Sequence, residues 1–195
     1  MSIDNATPDE WDAVRAMVSA RVNTRREEIA ATLPFEEFPM AVGDVTSTAR
    51  GSGARANGNK APLDLIPVSV WRNNWRDRMK NSAAVMDIMY ALEAFQAGDD
   101  NALSTYLKGI DLTGSVNVFE YGARKYAAWN WAKGMPWSVP LGCALRHIDA
   151  DLSGELYDYE SGETHMAHAI SNVVMLAYFL NTYPEGDDRP IFDKE

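Results

Sequence analysis

The sequence holds a single cysteine, Cys143, and that scarcity removes two classes of architecture. One thiol can build neither a disulfide framework nor a thiolate zinc cluster, so any metal must be held by oxygen or imidazole. A reducing cytoplasm is the setting that such cysteine usage implies. No apolar run approaches the roughly 20 residues that a membrane-spanning helix needs, which argues against a membrane partner. The opening MSIDNATPDEWD is acidic where a signal peptide is basic. Basic residues are in the minority as well, with 18 Lys and Arg against 28 Asp and Glu, a formal net charge of -10. Polymer binding draws most of its affinity from cations that neutralise phosphates, so no nucleic-acid polymer is expected as a partner. A small phosphorylated ligand needs only a few local cations, usually with a divalent metal. The acidic balance fits a carboxylate-lined Mg²⁺ site, although most acidic proteins are simply solvated ones.

What is present is 195 residues at 46% hydrophobic, enough for one domain with a sizeable core. Strand signals are weak and helical periodicity recurs, so the expected fold is an all-α helical bundle with a long irregular segment near residues 34–67. Thr7-Pro8-Asp9-Glu10 combines a capping hydroxyl, a first-turn proline and acids near the positive end of the dipole, and predicts a helix to about Thr32. From Pro34 to Pro67 glycine and polar residues dominate. That stretch reads as a flexible connector or, through Arg55 and Lys60, as a loop that wraps a phosphate. Periodicity from about Val68 to Phe95 predicts a longer helix with the stripe Trp71, Trp75, Met79, Met86, Met89 and Leu92, broken by a polar gap at Asn81-Ser82. Gly98-Asp99-Asp100 ends it and caps a short helix to Lys108.

The chemistry gathers between Phe119 and Leu180. Ser138 is predicted to cap a helix from Val139 to about Ser153, with His147 and Asp151 on one flank of its apolar stripe. Glu155, Asp158 and Glu160 crowd the connection that follows. A second helix is predicted from Gly162-Glu163 to about Asn181, and a turn of about 100° per residue puts His165, His168, Asn172, Leu176 and Phe179 in one narrow arc. Burying an unpaired imidazole or amide costs about 1–3 kcal/mol, so these groups need partners, which the preceding acids offer. A functional site explains the arrangement, and so does a buried polar network in a structural or interaction protein. Upstream, Arg124, Lys125 and Lys133 interleave with Trp129, Asn130 and Trp131. Such a segment suits a nucleotide, cations meeting phosphates and a ring stacking on the base, and equally suits a tryptophan-anchored loop that seals a bundle.

Several short segments occur in a recognisable order. They are Gly53-Ala54-Arg55 with Lys60 and Asp64-Leu65-Ile66-Pro67, then Tyr121 to Tyr126 with Asn130-Trp131 and Lys133-Gly134. Arg146-His147, Gly154-Glu155, Asp158, Glu160-Ser161-Gly162, His165, His168-Ala169 and Asn172 follow. Together they resemble the amino-terminal domain family of phage dATP/dGTP diphosphohydrolases, itself similar to MazG-like nucleotide pyrophosphohydrolases. The resemblance divides the chain into residues 1–52 without a counterpart, a helical domain over 53–190 with an insertion at about 68–112, and a tail at 191–195. It implies a MazG-like bundle that hydrolyses dATP or dGTP to the monophosphate and pyrophosphate in the host cytoplasm, as a homo-oligomer. On that reading Asp151, Glu155, Asp158 and Glu160 hold Mg²⁺ or Mn²⁺, and Glu155, His165 and His168 serve catalysis. Arg55, Lys60, Arg124, Lys125, Trp129, Asn130, Trp131, Lys133 and Asn172 surround the nucleotide. A nucleotide-binding or sensing module without turnover would use the same pocket.

Overall fold

Side-chain caps set where several of the described helices begin. The computed structural model describes residues 43–57 and 60–190, so the helix expected over residues 7–32 and the tail at 191–195 lie outside the described residues. The α-helices described are α1 (Val68–Met79), α2 (Ala83–Gln96), α3 (Asn101–Leu107), α4 (Thr113–Lys125), α5 (Ser138–Leu152) and α6 (His165–Thr182). Short 3₁₀ turns occupy Leu63–Leu65, Asn130–Lys133 and Pro184–Gly186. β-structure among the described residues is limited to isolated bridges such as Tyr157 with Thr164, so the fold is all-α. None of the described helices is long and apolar enough to cross a membrane.

The longer helix expected over Val68 to Phe95 is in fact two. Ser82 takes an extended conformation and its side chain accepts from Val85 N, which starts α2 afresh. A serine there competes with the helix's own hydrogen bonding and is worth more as a cap. At the start of α1 the cap comes from the neighbouring helix, Val68 N donating to Gln96 Oε1 at 2.8 Å. Ser138 likewise is the first residue of α5 instead of its cap. The Asp188 carboxylate accepts from Ser138 N at 2.8 Å and from its hydroxyl at 2.5 Å, as the positive end of a helix favours an anion. The second helix begins three residues later than Gly162, because Thr164 accepts from Ala167 N at 3.1 Å.

Helix α6 is the hub, packing against α3, α4 and, most extensively, α5. Leu141, Leu145 and Ile148 of α5 and Ala169, Val173, Leu176 and Phe179 of α6 are buried in one core. Trp75, Val85, Ile88, Met89, Leu92 and Phe95 from α1 and α2 join that same core, so the 68–112 stretch is integral to it. Each large side chain buried in this way stabilises by about 1.5–3 kcal/mol before entropy is counted. The hub therefore gives the histidines on its first turns a fixed position.

Candidate functional site

An irregular arm from Gly53 to Asn57 builds one side of the site. Gly53 N donates to Gly134 O at 2.9 Å, and a Cβ on Gly53 would stand 2.6 Å from that oxygen, so only glycine permits the approach. Asn130, 2% exposed, accepts from Ala54 N at 3.3 Å and donates to Ala54 O at 2.9 Å. Ala56 N donates to the Tyr126 hydroxyl at 2.9 Å. These bonds thread the arm along the α4–α5 connection and deliver Arg55, whose Nη2 donates to Asn172 Oδ1 at 2.8 Å. Asn172 Nδ2 in turn donates to His168 O at 2.7 Å, so the amide ties the arm to α6.

Helices α5 and α6 supply the opposite side. His147 Nδ1 lies 2.9 Å from His165 Nδ1, and the His147 ring stacks on His168 with centroids 4.4 Å apart. A contact between two ring nitrogens requires one to donate and the other to accept. Burial holds His147 far below the usual imidazole range, with the neighbouring imidazoles and cations adding to the effect. Burial also pushes His168 down to about 4 against the opposing pull of Asp158. Both rings are neutral at pH 7, the form that accepts protons and ligates metals. His168 Nε2 meets Ser161 Oγ at 2.6 Å, and the Ser161 hydroxyl and N both reach Asp158 Oδ1, at 2.9 and 3.0 Å. His165 Nε2 is buried with no hydrogen-bond partner, which costs about 1–3 kcal/mol.

Between the two sides lies a cavity of about 230 Å³. Arg55, Lys60, Lys125 and Arg146 line it together with His147, Asp158, Glu160, His165 and His168. Arg146 and Cys143 were not anticipated as site residues. Arg146 donates to Asn57 Oδ1 at 2.6 Å and Ala61 O at 2.8 Å, and its Nη2 lies 2.8 Å from Cys143 Sγ. Burial raises the Cys143 thiol, yet Arg55, Arg146 and Lys60 outweigh it and the net shift is downward. Arg55, Arg146 and Lys60 thus gather their positive charge around Cys143 on α5. Arg146 is announced in the sequence only by its place beside His147.

Of the other expected residues, Trp129 and Trp131 line the cavity and Arg124 and Lys133 do not. Arg124 pairs with exposed Glu120 at 2.8 Å and does not line the cavity. Lys133 Nζ donates to the carbonyls of Val45 at 3.2 Å and Ser47 at 2.7 Å, holding the arm's approach instead of facing the cavity. Trp131 packs among Phe119, Tyr178 and Phe179, whereas Trp129 is 72% exposed at the rim and holds a left-handed φ of 62°. That conformation is strained for a bulky residue, and such strain gathers at ligand sites.

Of the four acids expected on Mg²⁺, Asp158 and Glu160 line the cavity, and Asp151 and Glu155 do not. Glu160 accepts from Lys125 at 2.8 Å and from the Tyr121 hydroxyl at 3.2 Å, and burial together with this carboxylate pushes that hydroxyl up. Glu155 is more than half exposed and 3.8 Å from His165 Nε2. Asp151, raised by burial against the pull of His165, does not line the cavity. Among the described residues, the set that brings its ligand atoms within 4.8 Å of one another is His147, Asp158 and His165. Two imidazoles and one carboxylate are a poor match for Mg²⁺, which takes an octahedron of oxygens.

The profile of the family described as dATP/dGTP diphosphohydrolase, N-terminal, matches residues 93–189. A curated relative, the dATP/dGTP diphosphohydrolase of Salmonella phage PMBT28, is 32% identical over 74 residues, which make up 38% of this chain and 25% of that protein. The match thus spans a quarter of the relative's length. No solved structure matches the chain. The profile match takes in all of α3 to α6, and with them every histidine and both acids of the cavity. Over this segment the chain is similar to the dATP/dGTP diphosphohydrolase amino-terminal domain family.

Proposed function

We propose that the cavity takes a purine deoxynucleoside triphosphate and that the protein, with a divalent metal, hydrolyses it to the monophosphate and pyrophosphate. The observation that carries this reading is the facing of Arg55, Lys60 and Arg146 against the imidazole–carboxylate group of His147, Asp158, His165 and His168 across one cavity. Cations hold the phosphates and stabilise charge as the anhydride breaks. A water oxygen bonds to the α-phosphorus, the bond to the bridging oxygen breaks, and pyrophosphate leaves with the electron pair. The water's proton passes to the imidazole–carboxylate group. At about 230 Å³ the cavity is smaller than the roughly 300–1,000 Å³ usual for whole ligands, so part of the nucleotide stays at the mouth, where Trp129 stands ready to stack on the base. The name of the phage relative supports dATP and dGTP as the substrates. Incubation of the purified chain with each dNTP and Mg²⁺, Mn²⁺ or Zn²⁺ tests the proposal. Monophosphate and pyrophosphate in equal amounts from dATP or dGTP is the expected result, and no release from any dNTP refutes it.

A second reading, a nucleotide-binding module without turnover, is favoured by the short span of the phage relative that the chain matches and by Glu160 being held by Lys125 and Tyr121. Calorimetry that finds tight binding of a nucleotide recovered intact supports this second reading against the first.

A further inference from the structure

We propose that His147, Asp158 and His165 bind a divalent first-row transition metal ion, of the zinc, cobalt or manganese kind, in preference to Mg²⁺. Three elements bring these side chains together, namely α5, the α5–α6 connection and the first residue of α6, and their ligand atoms lie within 4.8 Å of one another. His147 Nδ1 and His165 Nδ1, 2.9 Å apart, are engaged with each other, which leaves Nε2 of His165 as that ring's open ligand atom.

An independent sign is the state of His165. Its ring is 5% exposed, lines the cavity, meets His147 through one nitrogen and leaves Nε2 buried with no hydrogen-bond partner. A buried ring nitrogen without a partner is costly, and an ion bound to it would remove that cost. The surroundings also follow the pattern of a supported ligand set, because outer groups orient the inner ones in metal sites. Ser161 fixes Asp158 with two hydrogen bonds, and His168 braces Ser161. Imidazole donors select zinc and its neighbours, whereas Mg²⁺ prefers oxygen and sheds water reluctantly.

The test uses the chain stripped by chelation, without nucleotide, so its outcome is independent of the pyrophosphohydrolase assay. Co²⁺ is titrated while visible absorption is recorded, and Zn²⁺, Mn²⁺ and Mg²⁺ are compared by calorimetry. The expected result is one Co²⁺ or Zn²⁺ per chain, bound at least about 100-fold more tightly than Mg²⁺, with ligand-field bands for Co²⁺. His147→Gln and Asp158→Asn, checked by circular dichroism for retained helix, should each weaken binding at least tenfold. Should one variant fail to fold, the other decides. Zn²⁺ bound no more tightly than Mg²⁺, or a folded variant that binds Zn²⁺ as the parent does, overturns the proposal.

Discussion

The imidazole side of the cavity rides on α5 and α6, whose apolar stripes bury against each other, whereas of the cations that face it only Arg146 comes from α5, and Arg55 and Lys60 come from irregular chain ahead of α1. Core packing sets the positions of His147, His165 and His168, and the tenfold or greater cost of disturbing it would fall on the whole fold. Arg55 is set instead by a handful of hydrogen bonds to backbone, from Asn130, Gly134 and Tyr126. The difference teaches that a precise site can be assembled from one rigid part and one tethered part. It also separates what a mutation does to stability from what it does to binding.

The largest effect that would break this contrast is expected from Asn130→Ala. It leaves the buried N–H and carbonyl of Ala54 unpaired, and a loss of about 2–3 kcal/mol in urea denaturation should accompany at least a tenfold loss of nucleotide affinity. Stability reduced with affinity intact would show that the arm is no part of the site. Arg55→Met should come next, weakening nucleotide binding about tenfold in calorimetry, while Arg124→Met, on the outer face of α4, leaves it unchanged. Equal losses in the two variants would mean that overall charge, and not the tether, recruits the ligand. Trp129→Asn sharpens the point further. Asn tolerates the left-handed conformation that Trp129 holds, so melting should stay within about 1 kcal/mol of the parent while affinity drops about fivefold with loss of the stacking ring.

The smallest effect is expected away from both sides, at Arg189. Its hydrogen bond holds Asp187 below the usual carboxylate range, burial opposing. A carboxyl depressed on folding contributes stability above its unfolded value near pH 4 and loses it as pH falls through the folded value. Arg189→Ala should therefore cost less than about 1 kcal/mol at pH 7, and the deficit should shrink as denaturation is followed from pH 5 down to pH 3. A deficit that stays constant with pH would assign the role of Arg189 to its contacts with Phe95 and Trp137 instead.

The helical side was legible in the sequence because periodicity is a property of spacing alone. His165, His168 and Asn172 share an arc with Leu176 and Phe179, and all five are buried. The tethered side was less legible from composition, since the glycines and polar residues of the arm fit a connector as well as a phosphate-wrapping loop, and the resemblance tipped the reading toward Arg55 and Lys60. Side-chain direction explains the remaining differences. Lys133 sits among aromatics in sequence, yet a 3₁₀ turn aims it at the carbonyls of Val45 and Ser47. The run of acids after α5 suggested a cluster, but an irregular connection has no period, and Glu155, Asp158 and Glu160 end with three different sets of neighbours. The break between α1 and α2 turned on one hydroxyl, that of Ser82, within an otherwise continuous stripe.

Asn130 grips Ala54 as one peptide unit grips another across a sheet, by offering a donor and an acceptor side by side. The grip reads only main-chain atoms, so it fixes the register of the arm without regard to which side chains the arm carries. Register then becomes the inherited quantity. Exchanging the side chain at position 55 or 60 would re-equip the cavity for a different anion on an unchanged frame. Deleting one residue between Ala54 and Lys60 would carry every later side chain of the arm out of step with α5 and α6.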